Sequence, residues 1–289
     1  MNLLIVGCGY LGMRVGRLLV DRGERVFATT RSAERAVELE DAGFEPVILD
    51  VTRPETLASP PNFSHVMHCV GFDRAAGRSL REVRVDGLKR LCSRLVVGSP
   101  RLVYASTTGV YGQDDGGWVD ETSPCVPTNE SGRVGLEAED VVRDFAATTG
   151  ATGVVLRFAG LYGPGRVVRR GAIERGEAIV GEPSKYLNLI HIDDAARAAV
   201  AALLEPNPSA LYNVCDDRPV SRKEYYTTVA RLLAAPEPTF VAPTPGSPEA
   251  AREGSHKRVS NRLMKAGLLV ELRYPDIDAG LPASLAEDC

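Results

Sequence analysis

Residues 2–20 read NLLIVGCGYLGMRVGRLLV: Asn2 and a run of four apolar residues, three glycines at G-x-G-x-x-G spacing, then a segment with apolar residues at helical intervals. A short strand that turns through glycine straight into a helix is the first half of a βαβ unit. Such a unit forces the next strand to return parallel to the first after a helical crossover. The rhythm continues with RVFAT at 25–29, PVILD at 46–50, HVMHCV at 65–70, RLVYAS at 101–106 and GVVLRF at 153–158, separated by amphipathic helix-length segments. Several of these runs are apolar on both faces, as a sheet covered by helices on both sides requires. The predicted fold is α/β, a doubly wound parallel sheet.

The rhythm changes after Phe158. GLYGPGR is a glycine-rich loop, 166–187 is short and mixed, and LNLIHIDDAARAAVAALL returns to strand and helix. We therefore expect a main domain at 1–160, rejoined by 186–215, and a smaller lobe made of 161–185 and 216–289. The Pro-rich PEPTFVAPTPGSPEA reads as a wrapped connection rather than a linker. A formal charge of −4 gives no electrostatic footprint for nucleic acid or an anionic membrane. No apolar run approaches the ~18 residues of a membrane span. Met1 leads directly into the first strand and the six cysteines show no paired or ligand-like spacing, so a cytoplasmic, reduced protein without a metal is expected.

The glycine motif has a physical reading. Gly7 permits the tight turn, Gly9 lets the backbone approach a pyrophosphate, and Gly12 allows close helix packing. The loop Gly7, Cys8, Gly9, Tyr10, Leu11 and Gly12 would present helix N–H groups to the phosphates of a dinucleotide. The second strand ends in TTRS, where an acidic residue would accept the ribose hydroxyls of NAD. Arg31, with Thr30 and Ser32, can instead hold a 2′-phosphate, so NADP is favoured over NAD. Asp50 and Val51 follow the third strand, where they can meet an adenine. Val70 and Gly71 end the fourth, beside the expected cofactor path.

With the glycine loop, ASTTGVYG after the fifth strand, LRFAGLYGPGR after the sixth, and NLIHIDDAA, the chain resembles the extended short-chain dehydrogenase/reductases of the epimerase/dehydratase type. The resemblance covers nearly the whole chain. It implies a seven-stranded Rossmann sheet, a smaller substrate lobe, and hydride chemistry that uses a Ser or Thr after the fifth strand and a Tyr-x-x-x-Lys pair on the next helix. Thr107 matches the hydroxyl position, with Ser106 and Thr108 beside it. In TNESGRVGLEAED the tyrosine and lysine positions hold Ser131 and Gly135. The resemblance is therefore to an atypical branch that lacks the pair.

Candidates for the missing proton donor are few. Ser131 is far less acidic than a tyrosine and also reads as a helix N-cap or a hydrogen-bonder of substrate. Tyr111 is an alternative acid beside Thr107, and Tyr104 reads as core. His191 reads as scaffold, with Asp193 or Asp194 capping the helix. Tyr162, Arg166, Asn188 and Thr108 are candidate substrate contacts. QDDGGWVDE at 113–121 could be a lid or an exposed loop.

These readings give an NADP-dependent oxidoreductase or epimerase/dehydratase-like enzyme that transfers hydride at a carbonyl or carbinol of a nucleotide-sugar-like or other small substrate, with non-standard acid/base residues. The alternative is a non-catalytic NADP(H)-binding sensor or regulator. The expected partner is a small-molecule substrate, with no nucleic acid or membrane; the sensor reading couples the difference between NADP and NADPH affinity to a partner surface, and assembly into a homodimer is left open.

Overall fold

The computed structural model describes residues 1–56, 63–95, 100–244, 246–247, 253 and 255–286. Cys289 and part of the Pro-rich stretch at 236–250 lie outside them. One parallel sheet contains β1 (Asn2–Val6), β2 (Arg25–Thr30), β3 (Glu45–Ile48), β4 (His65–His68), β5 (Arg101–Thr107), β6 (Gly153–Phe158) and β7 (Leu211–Val214). Its order is β3-β2-β1-β4-β5-β6-β7. Strand order reverses between β1 and β4, which opens a crevice at their carboxyl ends. The helices are α1 (Tyr10–Val20), α2 (Ala33–Asp41), α3 (Gly87–Arg94), α4 (Glu130–Thr149), α5 (Arg170–Glu174), α6 (Ile192–Leu204), α7 (Arg222–Leu232), α8 (Arg262–Leu268) and α9 (Ile277–Ala286).

The period of two in each strand divides the core. Leu3 and Ile5 join Val103, Val154 and Leu156 under α1 and α6, whereas Leu4 and Val6 join Leu102, Tyr104 and Val155 under α3 and α4. Fully burying each such aliphatic side chain stabilises the fold by roughly 1.5–3 kcal/mol. This two-sided burial explains why the strands are apolar throughout.

A third cluster, with Tyr162, Ile173, Leu189, Tyr225, Val229 and Leu281, lies apart from the sheet. The expected small lobe of 161–185 and 216–289 does not match it throughout. Val259, Met264, Leu268 and Val270 pack instead in the α1–α6 cluster. Gly267 sits so close to Tyr212 of β7 that a Cβ would be 2.9 Å from its ring. The final quarter thus returns to the main body at 258–270.

That return also fixes residues 113–121. Trp118–Val119 pair in parallel with Arg258–Val259, and the Gly116 and His256 N–H groups donate to His256 and Gln113 carbonyls at 2.8 Å. The Arg258 guanidinium lies 5.2 Å from the Trp118 ring centroid. The segment is a strapped clasp, neither the lid nor the plain loop expected from its glycines.

Candidate active site

A cavity of about 810 Å³ opens at the carboxyl ends of β1, β2, β3 and β4. Gly7, Cys8, Gly9, Thr30, Arg31, Asp50, Val51, Val70 and Gly71 all line it, as expected, together with Arg35, Arg53, Phe72 and Arg78. Gly7 has φ +93°, and a Cβ there would lie 2.6 Å from the Val70 backbone. Gly12 is equally closed, with 2.7 Å to the Gly7 carbonyl, whereas a Cβ on Gly9 would meet nothing within 4 Å. The two outer glycines tighten the turn, and the middle one leaves its backbone bare toward the cavity. Helix α1 starts there with no side-chain cap and no acid in its first turn, so its positive end is free to face an anion.

At the far end of the cavity Arg31 is solvent-facing and stands 3.6 Å from Asp73. Arg35, one helical turn later, pairs with Glu38. Ser32 caps α2 by accepting from the Arg35 N–H at 3.2 Å. It holds the helix that carries Arg35 and stands outside this cavity. Asp50 accepts from the Thr52 N–H at 2.8 Å and from its hydroxyl at 2.7 Å. Burial alone would raise its carboxyl pKa, but those donors and the nearby Arg31 and Arg53 hold it below the usual range.

Other members of the expected cofactor set have structural duties. Leu11 is buried in the α1–α6 core. Tyr10 donates to the Pro164 carbonyl at 2.9 Å and so ties the glycine loop to GLYGPGR. Ser106 is 9% exposed and donates to Glu139 at 2.6 Å, which corrects its assignment to the cofactor. Cys8 is 8% exposed, its thiol 3.4 Å from the Met13 sulfur. Burial pushes that thiol up to about 11, which leaves it protonated and unreactive at neutral pH.

Thr107 ends β5 and accepts from the Gly109 N–H at 3.0 Å. Its side-chain hydrogen is left for another acceptor. Gly135 faces it: a Cβ there would be 3.5 Å from Thr107 Cγ2 and 3.4 Å from Val110. Ser131 lies one turn earlier on the same side of α4 and is exposed, with its Oγ 3.5 Å from Arg84 Nη1. It does not cap the helix; Asn129 does, by accepting from the Gly132 N–H at 3.0 Å. Helix α4 contains neither tyrosine nor lysine.

Tyr111 does not face this pocket as an acid. It is 1% exposed; its hydroxyl donates to Asn213 at 2.9 Å and accepts from Arg157 at 2.8 Å. Burial, opposed by Arg157, pushes it up to about 12. Arg157 also makes two bonds to Glu139, at 3.0 and 2.6 Å. The tyrosine therefore belongs to a buried chain, Ser106–Glu139–Arg157–Tyr111–Asn213, that fixes β5, α4, β6 and β7 behind Thr107.

The expected substrate residues are divided in the same way. Tyr162 has no exposed surface, its ring is edge-on to His191 and its hydroxyl donates to the Asp276 carbonyl at 3.3 Å. Asn188 uses its amide to hold the C-terminal return, donating to the Lys257 carbonyl at 3.0 Å and accepting from the Val259 N–H at 2.7 Å. Thr108 is 8% exposed within its turn. These three are corrected to scaffold. Arg166 remains exposed, stacked 5.4 Å from the Tyr10 ring centroid beside the glycine loop. His191 itself caps α6, accepting from the Asp193 N–H at 3.3 Å, while Asp194 accepts from the Arg273 and Tyr274 N–H groups. Burial lowers the His191 pKa, consistent with a neutral scaffold imidazole.

Sequence reading missed Arg35, Arg53, Arg78 and Arg84. Arg35 had a signal, since Arg31 and Arg35 are spaced one helical turn apart after a strand. Arg84 had none, because its partner Ser131 is 47 residues away.

Residues 3–215 match the NAD dependent epimerase/dehydratase family. The chain belongs to that family. Its likeness to Protein YeeZ of Escherichia coli K12 is 30% identity over 278 residues, 94% of this chain and 96% of the relative. It is also 27% identical to a 3-diazoavenalumate denitrifying reductase of Streptomyces, over 82% of this chain and 83% of that one. A solved structure of a conserved protein from Silicibacter pomeroyi superposes with a TM-score of 0.83 at 30% identity, covering 99% and 98% of the two chains.

Proposed function

We propose that this protein is an NADP-dependent oxidoreductase of the epimerase/dehydratase family that acts by hydride transfer at a carbonyl or carbinol carbon. The observation that carries the reading is the cavity itself. A bare glycine backbone and an uncapped helix end stand at one side, and Arg31 and Arg35 at the other. Those features fit the pyrophosphate and the 2′-phosphate of one extended dinucleotide. Gly7, Gly9 and the start of α1 would hold the pyrophosphate, and Val51 would line the adenine with Asp50 accepting from its amine. Arg31 would release the long, exposed contact to Asp73 to bind the 2′-phosphate with Arg35.

When bound, the nicotinamide supplies or accepts the hydride. Thr107 donates its free hydroxyl hydrogen to the substrate oxygen and polarises the C–O bond. Ser131 offers a second hydroxyl from α4, and Arg166 a cation beside the glycine loop for an acidic group of the substrate. The family favours a nucleotide-sugar-like or other small polar substrate. We place the protein in the cytoplasm, where its cysteines stay reduced. Among the described residues no helix is long and apolar enough to cross a membrane.

The test is NADPH oxidation over a panel of carbonyl compounds and nucleotide sugars, followed at the reduced-nicotinamide absorbance. Thr107→Val should lower turnover about 100-fold or more with little change in NADPH affinity. Thr107→Ser keeps both the hydroxyl and the cap on Gly109 and should retain most activity; equal activity in all three proteins would remove Thr107 from the chemistry. The alternative reading, a non-catalytic NADP(H) sensor, draws on the absence of tyrosine and lysine from α4. Tight NADPH binding without turnover across the panel decides for it.

A further inference from the structure

Helix α3 is preceded by a π-helical turn, Glu82–Asp86. Such turns displace one residue from the regular helical stripe and recur at functional sites. Here Val83 lines the dinucleotide cavity and the adjacent Arg84 extends its guanidinium to Ser131 Oγ at 3.5 Å. Arg84 thus joins the turn that lines the cavity to Ser131 at the exposed start of α4, one helical turn before the buried Gly135 that faces Thr107.

Its charge is left uncompensated. Of the acids on its own turn, Glu82 pairs with Arg78 at 2.8 Å and Asp86 with Arg81 at 3.2 Å. On α4, Glu137 pairs with Arg81 at 2.8 Å, and Glu130 is exposed in the first turn. Among the described residues no carboxylate pairs with Arg84. The groups behind it are neutral: burial pushes His68 down to about 4 and Tyr104 up to about 12. A half-buried, unpaired guanidinium beside the Ser131 hydroxyl, one turn of α4 before the glycine that faces Thr107, is arranged to receive negative charge from a ligand.

We propose that Arg84 is the cation of the reaction pocket, binding with Ser131 and Thr107 the substrate oxygen on which negative charge develops. The proposal rests on the hydride-transfer reading above. In the reducing direction the carbonyl carbon gains hydride from the reduced dinucleotide and the C=O π pair moves onto oxygen. That oxygen takes a proton from water, and hydroxide returns to bulk. A guanidinium only donates hydrogen bonds, so Arg84 contributes charge and no proton.

The experiment compares wild type, Arg84→Met and Arg84→Lys, each loaded with the dinucleotide. The first readout is calorimetric binding of oxamate, a small carbonyl–carboxylate probe, to the NADP-loaded protein. The second is kcat against pH with the best carbonyl compound of the panel. Arg84→Met should weaken oxamate by about tenfold or more and lower kcat about 100-fold, with NADPH affinity held within about threefold. Arg84→Lys should restore part of both. The wild-type kcat should be flat between about pH 7 and 9, since the guanidinium and the two hydroxyls supply charge and hydrogen bonds and water supplies the proton. No oxamate binding by wild type, or equal binding by wild type and Arg84→Met, overturns the assignment. So does a kcat for Arg84→Met equal to wild type. If no carbonyl is turned over but oxamate binding depends on Arg84, the hydride-transfer reading fails while the oxyanion site stands.

Discussion

Removing Glu139 should damage the protein out of proportion to one side chain. Its carboxylate is fully buried and accepts from Ser106 at 2.6 Å and from Arg157 at 3.0 and 2.6 Å. Burial works against the Arg157 charge, yet Glu139, with Tyr111, raises its pKa above that of ordinary arginine. In Glu139→Ala that guanidinium, 5% exposed, keeps the neutral Tyr111 hydroxyl and Cys125 thiol as partners and no carboxylate that bonds it directly. Breaking a buried pair from one side costs about 3–5 kcal/mol, because the surviving charge is stranded. With an unfolding entropy near 2.1 cal/mol/K per residue, a chain of 289 residues should lose roughly 5–8 °C in Tm. Urea unfolding gives the free energy directly. The double variant Glu139→Leu with Arg157→Met removes both charges and should recover more than half of the loss. A single-variant loss below about 1 kcal/mol would refute the view of this chain as the rigid backing of Thr107.

Gly132→Ala should be destabilising by about 1–3 kcal/mol, because its Cβ would stand 2.4 Å from the Gly109 carbonyl; thermal melts check this, and Gly135→Ala, with ordinary contacts of 3.4 Å, should change Tm little. Lys257 is 6% exposed and burial pushes it down from 10.5 to about 8. Below pH 8 both folded and unfolded chains carry the charge, and the folded one bears its desolvation. Between about 8 and 10.5 the unfolded chain holds more protons, so this group makes stability rise with pH. At 1.36 kcal/mol per pH unit, Lys257→Met should stabilise the fold at pH 7 by up to roughly 3 kcal/mol. The advantage should vanish toward pH 10.5; unfolding free energies across that range that differ by a constant would contradict it.

The backbone-driven features were legible in the sequence. A strand apolar on both faces can be read from a few residues, and each of the six predicted runs lies in the central sheet. The glycine loop was legible for the same reason: turn geometry and close approach are local demands. Tyr111, Tyr162 and Asn188 were not, because a polar side chain in a motif looks the same whether it faces a ligand or a distant partner. Their partners Arg157 and Lys257 lie 46 and 69 residues away. The clasp at 113–121 was hidden likewise by its pairing with residues near 258. At the start of α4, Asn129 and Ser131 are both good capping types, and only backbone geometry chose between them.

The most direct test of the central claim is calorimetric titration of the protein with NADPH and NADH, repeated on Arg31→Asp. NADPH should bind at least about tenfold tighter than NADH, and Arg31→Asp should abolish that preference mainly by weakening NADPH. Equal affinity for the two dinucleotides, or equal loss of both in the variant, would contradict it.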